Sequence, residues 1–315
     1  MPKVSIGLPV FNGERYLAEA IESILNQSFT DFELIISDNG STDKTHDICM
    51  HYKNKDERVI YFRNNKNIGA AENYNKVFEI AQGRFFKWAA HDDVLGPRYL
   101  KNCLEVLDCD NSVVFCHSLT GKIDENGELV GDYDHEMRLM SSRVYQRFHD
   151  LIVVRHPCVL AFGICRSEIL RKTPLIGKYV GSDRVLLGEI GMYGKIYVVP
   201  KMNFFRRCHP ETSGFINEQE RIAWFDPQMK GIISFPNWRI LGEHARSIRR
   251  VEQKPVEKML CYAQIFPHFR KRRRFLLLDL EIALKMKIRP TPFGRMLVGA
   301  KRVLRNNCQK VDWLG

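Results

Sequence analysis

Several features that would assign this chain to a common class are absent from its sequence. No apolar run is long enough to span a bilayer, and residues 1–4 lead directly into a strand-like segment. We therefore expect neither a membrane-spanning helix nor a secretory signal peptide. The nine cysteines are scattered without a Cys-x-x-Cys pair, which disfavours a disulfide framework or a zinc site and predicts free thiols in a reducing cytoplasm.

Two phosphate-binding signatures are also missing. After the first predicted strand, residues 9–14 read Pro-Val-Phe-Asn-Gly-Glu and not Gly-x-Gly-x-x-Gly, so a dinucleotide-dependent dehydrogenase is a poor fit. No Gly-x-x-x-x-Gly-Lys-Ser/Thr segment occurs, which excludes a P-loop nucleotide site.

The composition is globular, but the charge is unevenly distributed. The 315 residues are 44% hydrophobic and 27% charged, which indicates one large domain or one domain with an appendage. The net charge is +11, and residues 237–310 alone contain 19 Lys and Arg against 5 Asp and Glu. The rest of the chain has a slight excess of acid. Such a basic C-terminal part predicts an anionic partner, either lipid, nucleic acid or a phosphorylated substrate.

The first hundred residues alternate between short apolar runs and helical segments. Strands are predicted at 4–10, 32–37 and 59–63, each followed by a helix, and a fourth begins at Phe85. This order is typical of parallel strands joined by crossover helices. In such sheets, ligands bind beyond the carboxyl ends of the strands. Three of these ends carry polar loops that the fold would bring to one edge: residues 9–12, 37–40 and 91–93.

Later in the chain the pattern is less regular. Strands are predicted at 113–120, 159–164 and 196–199, with a hairpin about Asn126-Gly127. A further helix is predicted to open at Gly181.

Two adjacent carboxylates, Asp92 and Asp93, follow the fourth predicted strand. Neighbouring Asp side chains at the end of a buried strand repel each other and lose hydration at a cost. Mg²⁺ or Mn²⁺ prefers oxygen ligands and often bridges a carboxylate to substrate phosphates, so the pair is a candidate metal site. The alternative is that both lie in a solvated turn and help to cap the next helix. The convergence of the three polar loops favours the metal.

The segments 4–14 and 20–27 resemble the opening of the bacterial-type family 2 glycosyltransferases. Residues 33–43 match the second signature of that family, and residues 67–69 match the third. The resemblance is strong over residues 1–110. It implies a GT-A fold, with a Rossmann-like, mostly parallel central sheet flanked by helices. It also implies metal-dependent transfer of a sugar from a nucleotide donor with inversion.

The resemblance further implies roles for particular residues. Asp183, at the start of a helix, would be the catalytic base, and Asp93 with Asp92 would hold Mn²⁺ or Mg²⁺. The nucleotide-sugar would contact a set of residues from both halves: Pro9, Val10, Phe11, Glu14, Asp38, Asn67, Asp92, Arg206 and His209. Locally, Asp183 is equally explained as a first-turn carboxylate favoured by the helix dipole, and His209 as an ordinary loop histidine.

The chain departs from the family pattern at one position. Family members often have an Asp two residues before the first Asp of this pair, and here that residue is Ala90. The resemblance is also looser over residues 180–215 than over the first hundred. The implied ligand set is thereby reduced to Asp92 and Asp93.

We expect residues 1–215 to form the catalytic domain, with a nucleotide-sugar half at 1–110 and an acceptor half at 111–215. Residues 216–315 would be a basic helical extension. A UDP-sugar is the first candidate donor, with GDP- and dTDP-sugars as alternatives. The expected acceptor is a glycan or lipid-linked acceptor, in the synthesis of cell-surface polysaccharide or glycolipid.

A non-catalytic protein that binds nucleotide-sugars or polyanions is the alternative function. Such a protein would need neither Asp183 nor an Asp pair at a strand end. The basic C-terminal part lacks an RNA-binding signature, so no nucleic-acid partner is expected.

The C-terminal part contains a compact basic cluster, Arg-Lys-Arg-Arg-Arg at 270–274, followed by an apolar stretch at 275–284. Each such charge near an anionic leaflet contributes about 1 kcal/mol, which favours peripheral attachment to the cytoplasmic face of the inner membrane. A helix that is apolar nearly all round is more typical of a protein interior. Packing on the catalytic domain, or on a second copy in a homo-oligomer, is therefore the alternative.

Overall fold

The computed structural model describes most of the chain: residues 1–133, 137–154, 156, 158–210, 212 and 218–288. Its strands form one mixed sheet: β1 (Val4–Val10), β2 (Phe32–Asp38), β3 (Val59–Arg63), β4 (Phe85–Trp88), β5 (Val94–Leu95), β6 (Val113–Ile123), β7 (Leu129–Tyr133), β8 (Ile164–Arg166) and β9 (Lys195–Arg207). Its α-helices are α1 (Leu17–Leu25), α2 (Thr45–Lys55), α3 (Ala70–Ile80), α4 (Tyr99–Cys109), α5 (Val144–Val153), α6 (Ser167–Leu170), α7 (Ser182–Tyr193), α8 (Glu218–Phe225), α9 (Pro236–Arg250), α10 (Pro255–Ala263) and α11 (Ile265–Ile288).

The first half of the sheet confirms the expected parallel arrangement. Strands β3, β2, β1 and β4 lie side by side in that order, and every pair among them is parallel. All residues of β1 and β2 are buried, because helices cover both faces of the sheet. Val10 pairs with Asp38, and Asp38 with Arg63, so these three strands end at one edge.

Two apolar cores lie on opposite faces of the sheet. Alternate residues of β1, such as Ile6 and Leu8, pack with α1, α2 and α4 in one core. Phe86 and Trp88 of β4 pack with α3 and α7 in the other. This arrangement follows from the strand period, because successive side chains point to opposite faces.

The second half of the sheet contains both parallel and antiparallel pairs. Strand β8 is antiparallel to both of its neighbours, β4 and β6. Strand β9 is parallel to β6, while β5 is antiparallel to β9. Strand β7 closes the expected hairpin on β6, with a left-handed Gly127 (φ 87°) in its turn.

The prediction of a strand at 159–164 is wrong. Residues Cys158–Phe162 form a 3₁₀ turn, and the strand is only Ile164–Arg166. A Cβ on Gly163 would come within 2.2 Å of the Phe115 ring, so the chain passes closer to β6 here than any side chain would permit. The apolar run was therefore a buried turn, which has the same composition as a buried strand.

Helix α11 packs on α9 along one face and is exposed along the other. Asp279 is 1% exposed and accepts hydrogen bonds from the backbone (2.9 Å) and side-chain (2.8 Å) nitrogens of Asn237 at the start of α9. Leu277, Leu280 and Leu284 remain 63%, 46% and 58% exposed. The apolar stretch 275–284 is thus buried on the face toward α9 and exposed on the opposite face. No helix in the described ranges is both long enough and apolar enough to cross a bilayer.

Candidate active site

The loops that follow β1 and β2 are joined to each other at the carboxyl edge of the sheet. The backbone N–H of Asn12 donates to Ser41 Oγ (2.9 Å), and that of Gly13 donates to Thr45 Oγ1 (2.8 Å). In return, Thr42 N–H donates to Asn12 Oδ1 (2.9 Å). These contacts fix the strand ends next to which a nucleotide would lie.

Glu14 takes part in the same junction. Its carboxylate accepts a hydrogen bond from the backbone of Lys44 (3.0 Å), and its own N–H donates to Asp43 Oδ2 (3.0 Å). Glu14 also lines a surface cavity of about 500 Å³ between α1 and α2 that contains none of the candidate catalytic carboxylates. Its geometry is therefore that of a loop-ordering residue.

The other predicted nucleotide contacts at this edge differ in exposure. Pro9 and Val10 are buried at the end of β1, whereas the Phe11 side chain is 39% exposed beside them. Asp38 is fully buried and accepts hydrogen bonds from Ser41 N–H (2.8 Å) and Tyr61 O–H (3.1 Å). If Asp38 contacts the nucleobase of a donor, it would do so with a carboxylate that already accepts hydrogen bonds from this loop.

An asparagine network joins this edge to the loop after β3. Asn39 donates to Asn67 Oδ1 (3.0 Å) and accepts from Asn64 Nδ2 (3.1 Å). Asn64 in turn donates to Asn73 Oδ1 (3.0 Å), which lies on α3. The sequence indicated only Asn67, because the other three amides gain their meaning from strands that meet in space.

Asp92 and Asp93 are held by the far end of β9. The backbone N–H of Arg207 donates to Asp93 Oδ1 (3.0 Å), and its guanidinium Nε donates to the Asp92 carbonyl (3.0 Å). His209 Nε2 lies 2.9 Å from Asp92 Oδ2, and the His209 ring lies 5.0 Å from that of Tyr16. The structure thus brings His209 to the Asp pair, and it adds Arg207, which the sequence reasoning missed.

The two carboxylates have opposite electrostatic environments. Burial and the negative charge of Asp92 raise the pKa of Asp93 well above its usual range, although Arg206 and Lys87 act in the other direction. Burial also raises the pKa of Asp92, but the charge of His91 and the hydrogen bond from His209 outweigh it, so the net shift is downward. Two neighbouring buried carboxyl groups therefore carry less than two full negative charges between them.

The positive charges of Arg206 and Lys87 both lower the pKa of Asp93. Arg206 donates to the Tyr133 hydroxyl at 2.9 Å, which holds its guanidinium on the hairpin side of the sheet. Lys87 is fully buried, and burial lowers the pKa of its ammonium to about 7. Its Nζ donates to the Trp88 carbonyl at 2.8 Å.

The donor set at Asp92 and Asp93 fits a hard divalent cation. Two under-neutralised carboxylates side by side in a buried position are a costly arrangement that Mn²⁺ or Mg²⁺ would relieve. No group of three His, Cys, Asp or Glu side chains forms a ready-made metal site within the described residues. The remaining ligand positions would therefore come from phosphate oxygens and water, as is usual for these ions at phosphate sites.

Asp183, the candidate base, is positioned by helix α7. It lies in the first turn of α7, after Gly181 in the left-handed conformation (φ 83°), and its Oδ1 accepts from Arg184 N–H at 2.9 Å. A Cβ on Gly181 would come within 2.7 Å of Ile240, so this entry to the helix needs glycine.

The Tyr74 hydroxyl is under the electrostatic influence of both the Asp pair and Asp183. Burial raises the pKa of the Tyr74 hydroxyl, and the charges of Asp92, Asp93 and Asp183 raise it further. All three carboxylates are therefore within electrostatic reach of one hydroxyl. Trp224 on α8 packs edge-on against the Tyr74 ring, with centroids 6.5 Å apart. Sequence reasoning missed both aromatics, because one tyrosine on an amphipathic helix carries no distinguishing signal.

A family model described as "Glycosyl transferase family 2" matches residues 5–172, which is more than half of the chain. An uncharacterized glycosyltransferase of Methanocaldococcus jannaschii is 30% identical over 58% of this chain and 62% of its own length. A Campylobacter jejuni protein named GalNAc(5)-diNAcBac-PP-undecaprenol beta-1,3-glucosyltransferase is 26% identical over 65% of each chain. The match thus spans less than two thirds of the length of these relatives.

Solved structures show the same fold at lower identity. TarS of S. aureus, crystallised as residues 1–349 with UDP, superposes with a TM-score of 0.62 over 92% of this chain and 81% of that one, at 19% identity. The mannosyltransferase PcManGT of Pyrobaculum calidifontis, solved with GDP-Man and Mn²⁺, superposes with a TM-score of 0.56 over 96% and 80%, at 15% identity.

Proposed function

Because this chain belongs to glycosyl transferase family 2 and has the GT-A fold, we propose that it transfers a sugar from a nucleotide-diphospho-sugar to an acceptor hydroxyl with inversion. The observation that carries the proposal is the joint effect of Asp92, Asp93 and Asp183 on Tyr74. The candidate metal-binding pair and the candidate base thus both act electrostatically on the hydroxyl of one side chain, Tyr74. A nucleotide-sugar and a hydroxyl acceptor meeting there would find both groups that the reaction needs.

The donor is proposed to lie along the carboxyl edge of the first three strands. Phe11 is exposed enough to contact the base, and Asp38, Asn67 and the backbone of Pro9 and Val10 line the same edge. A UDP-sugar is the first candidate because the TarS structure contains UDP, and GDP- and dTDP-sugars are the alternatives.

The diphosphate is proposed to lie at Asp92 and Asp93, with Arg206 and His209 at its other side. These two carboxylates would hold Mn²⁺ or Mg²⁺, and the Mn²⁺ in the PcManGT structure supports that assignment. When bound, such an ion stabilises the negative charge on a departing diphosphate as a Lewis acid. His209 keeps the Asp92 carboxylate oriented through the 2.9 Å contact.

Asp183 is proposed to accept the proton of the acceptor hydroxyl. As that oxygen forms its bond to the anomeric carbon, the bond from this carbon to the diphosphate oxygen breaks, and its electron pair leaves with the diphosphate. Attack from the face opposite the leaving group inverts the configuration, and no protein nucleophile is required. The acceptor is proposed to be a glycan or a lipid-linked glycan in polysaccharide or glycolipid synthesis, as the name of the Campylobacter relative suggests.

A donor panel tests this function. UDP-, GDP- and dTDP-sugars would be incubated with the protein, with Mn²⁺ and with EDTA, and free nucleotide diphosphate would be measured by chromatography. We expect release from one base series, dependent on Mn²⁺ or Mg²⁺. If a member of the panel is bound but none is hydrolysed, the non-catalytic binding function takes the place of the glycosyltransferase proposal, and if none is bound either, the proposed donor site is wrong.

Peripheral attachment to the cytoplasmic face of the inner membrane is part of the same proposal. The outer side of α10 and α11 combines charge with exposed apolar groups: Met259, Tyr262, Phe266, Phe269, Leu277, Leu280 and Leu284. Within this surface, Arg270, Arg273 and Arg274 are also exposed. A surface of this composition suits an anionic bilayer, while contact between copies of the chain through these helices is the alternative.

A further inference from the structure

Arg184, which follows Asp183 in the chain, is buried, Arg272 of α11 is half-buried, and neither has an acidic partner among the described residues. Arg184 is 7% exposed, and its guanidinium donates to the His156 carbonyl at 2.9 Å. Arg272 of α11 packs over the Phe275 ring, 5.4 Å from its centroid. Throughout the described ranges, neither guanidinium has an Asp or Glu oxygen within 4.0 Å.

The position of Arg272 is fixed by the residue one turn before it. His268 is 2% exposed, and its Nδ1 donates to the Ile152 carbonyl at 2.8 Å. Its ring also packs edge-on against His244 of α9, with centroids 5.0 Å apart. Because residues four apart share a helix face, Arg272 is directed inward next to this pair, toward Arg184. The basic cluster 270–274 is therefore divided, with one arginine facing in and its neighbours facing out.

The titratable side chains of His268 and Cys158 near the two arginines carry no negative charge that would balance them. Burial lowers the pKa of His268 to about 4, and the charges of Arg272 and Arg184 act in the same direction. Burial raises the pKa of the Cys158 thiol to about 12, so it is not a thiolate. Burial, together with the charge of Arg184, also lowers the pKa of Arg272. Asp183, which like both arginines acts on the Cys158 thiol, is therefore a carboxylate beside this region of positive charge.

Buried cations are normally paired, because an unpaired buried charge is strongly destabilising. Arginine in particular is suited to phosphate, whose oxygens accept two parallel N–H bonds from one guanidinium. An anionic ligand that binds at this place would complete the charge balance that the protein leaves open.

We propose that Arg184 and Arg272 form the seat for a phosphate or diphosphate group carried by the acceptor, next to the hydroxyl that Asp183 deprotonates. This proposal rests on the proposed function, since Asp183 is the base only if the protein is a glycosyltransferase. The seat is formed by residues other than those proposed for the donor diphosphate. Two sources supply such a group: a sugar linked to a polyprenyl diphosphate, and an alditol-phosphate polymer.

Calorimetry on the full chain, saturated with UDP and Mn²⁺, tests the seat. With the donor site filled, farnesyl diphosphate and a glycerol-phosphate oligomer serve as separate probes, and the tighter binder identifies the source. We expect Arg272→Gln to weaken binding of that probe about tenfold or more, the range for a charge-assisted hydrogen-bond pair. Arg249→Gln, which removes the same charge from an exposed position on α9, should change it less than about threefold.

A second variant keeps the test valid if one substitution disturbs the fold. Arg184→Lys retains the charge but loses the fork geometry, and it should also weaken the probe, whereas Arg272→Lys should recover part of the loss. Equal effects of Arg272→Gln and Arg249→Gln would mean unspecific attraction and would overturn the seat. Binding of UDP without binding of either probe would overturn the seat alone, while failure to bind UDP, GDP or dTDP would overturn the proposed function itself.

Discussion

At the scale of single residues, Asp93 is the position where the proposed metal can be tested in isolation. Asp93→Ala removes one of two adjacent oxygen ligands, so Mn²⁺ should no longer strengthen the binding of UDP. Calorimetric titration of UDP with and without Mn²⁺ measures this. Asp108→Ala, an exposed carboxylate on α4, is the matched control and should retain the full Mn²⁺ effect. An unchanged Mn²⁺ effect in Asp93→Ala would remove Asp93 from the ligand set.

His117 makes a prediction about acid stability. It is fully buried between the Tyr99 hydroxyl (2.8 Å) and Thr120 Oγ1 (3.3 Å), and burial lowers its pKa to about 3. In the unfolded chain the pKa of His117 is near 6.5, so the unfolded state binds the proton more readily. The stabilisation of the folded state by neutral His117 is therefore complete above about pH 6.5. It is lost as the pH falls toward 3, and the loss is about 2 kcal/mol at pH 5.

Urea unfolding at pH 7 and pH 5 measures this contribution. His117→Gln should reduce the loss of unfolding free energy between the two pH values by about 2 kcal/mol relative to the parent protein. His51→Gln, at an exposed position on α2, should behave as the parent does. An identical pH dependence in all three proteins would show that His117 does not titrate on unfolding.

At the scale of elements, β9 is the strand that assembles the site. Through Arg207 it reaches the carbonyls of Asp92 (3.0 Å), Asp124 (3.1 Å) and Glu125 (3.3 Å), and the guanidinium also pairs with Glu19 of α1. Arg207→Met would leave the half-buried Asp92 carbonyl without its guanidinium donor and would remove one donor from the carbonyls of Asp124 and Glu125, at a cost of about 2 kcal/mol or more.

A comparison of two variants isolates this effect. Glu19→Gln removes only the partner charge, whose side chain is 52% exposed, and should cost less than about 1 kcal/mol. Arg207→Met should cost more and should also weaken UDP binding, since the Asp92 carbonyl loses the guanidinium that holds the Asp pair against β9. Thermal unfolding and UDP titration measure both, and equal stabilities of the two variants would contradict the role given to Arg207.

Sequence reasoning was most accurate where local signals agree. The first three strands were predicted to within one residue, because apolar runs, turn residues and helical periods alternate without conflict. The strand predicted at 196–199 was cut short at Pro200, a residue that normally ends pairing. In the structure the register jumps from Val199 to Met202, so Pro200 lies in a bulge and the strand continues to Arg207.

The site was predictable in part for the same reason. Asp92 and Asp93 follow a clear strand, and Asp183 begins a clear helix, so their positions could be inferred from the chain. Tyr74 and Arg207 could not, because their roles arise from contacts between segments that are distant in sequence. Pairing across such distances is set by tertiary packing, which a single sequence does not display.

At the scale of the whole molecule, the division of charge predicts a salt-dependent association with anionic membranes. The protein should sediment with vesicles of increasing phosphatidylglycerol content at low salt and be released as salt rises. Replacing Arg270, Arg273 and Arg274 together by Gln should weaken binding by about fivefold per charge, from about 1 kcal/mol each.

The matched control removes three exposed charges from the other end of the chain, Lys53, Lys55 and Lys66. This variant should bind vesicles as the parent does. If both triple variants lose binding equally, the attraction reflects net charge and not the outer face of α11. If the parent protein stays in the supernatant at low salt, the membrane assignment is wrong and contact between copies of the chain accounts for that face.

The central claim is that Asp183 is the base of a single-displacement transfer, and one measurement addresses it most directly. With the donor found in the panel, transfer rate and UDP affinity would be measured in parallel for the parent protein and Asp183→Asn. We predict that UDP affinity stays within about threefold, since Asp183 is not among the proposed donor contacts, while the rate falls by about two to four orders of magnitude. A variant that transfers sugar at the parental rate would contradict the account.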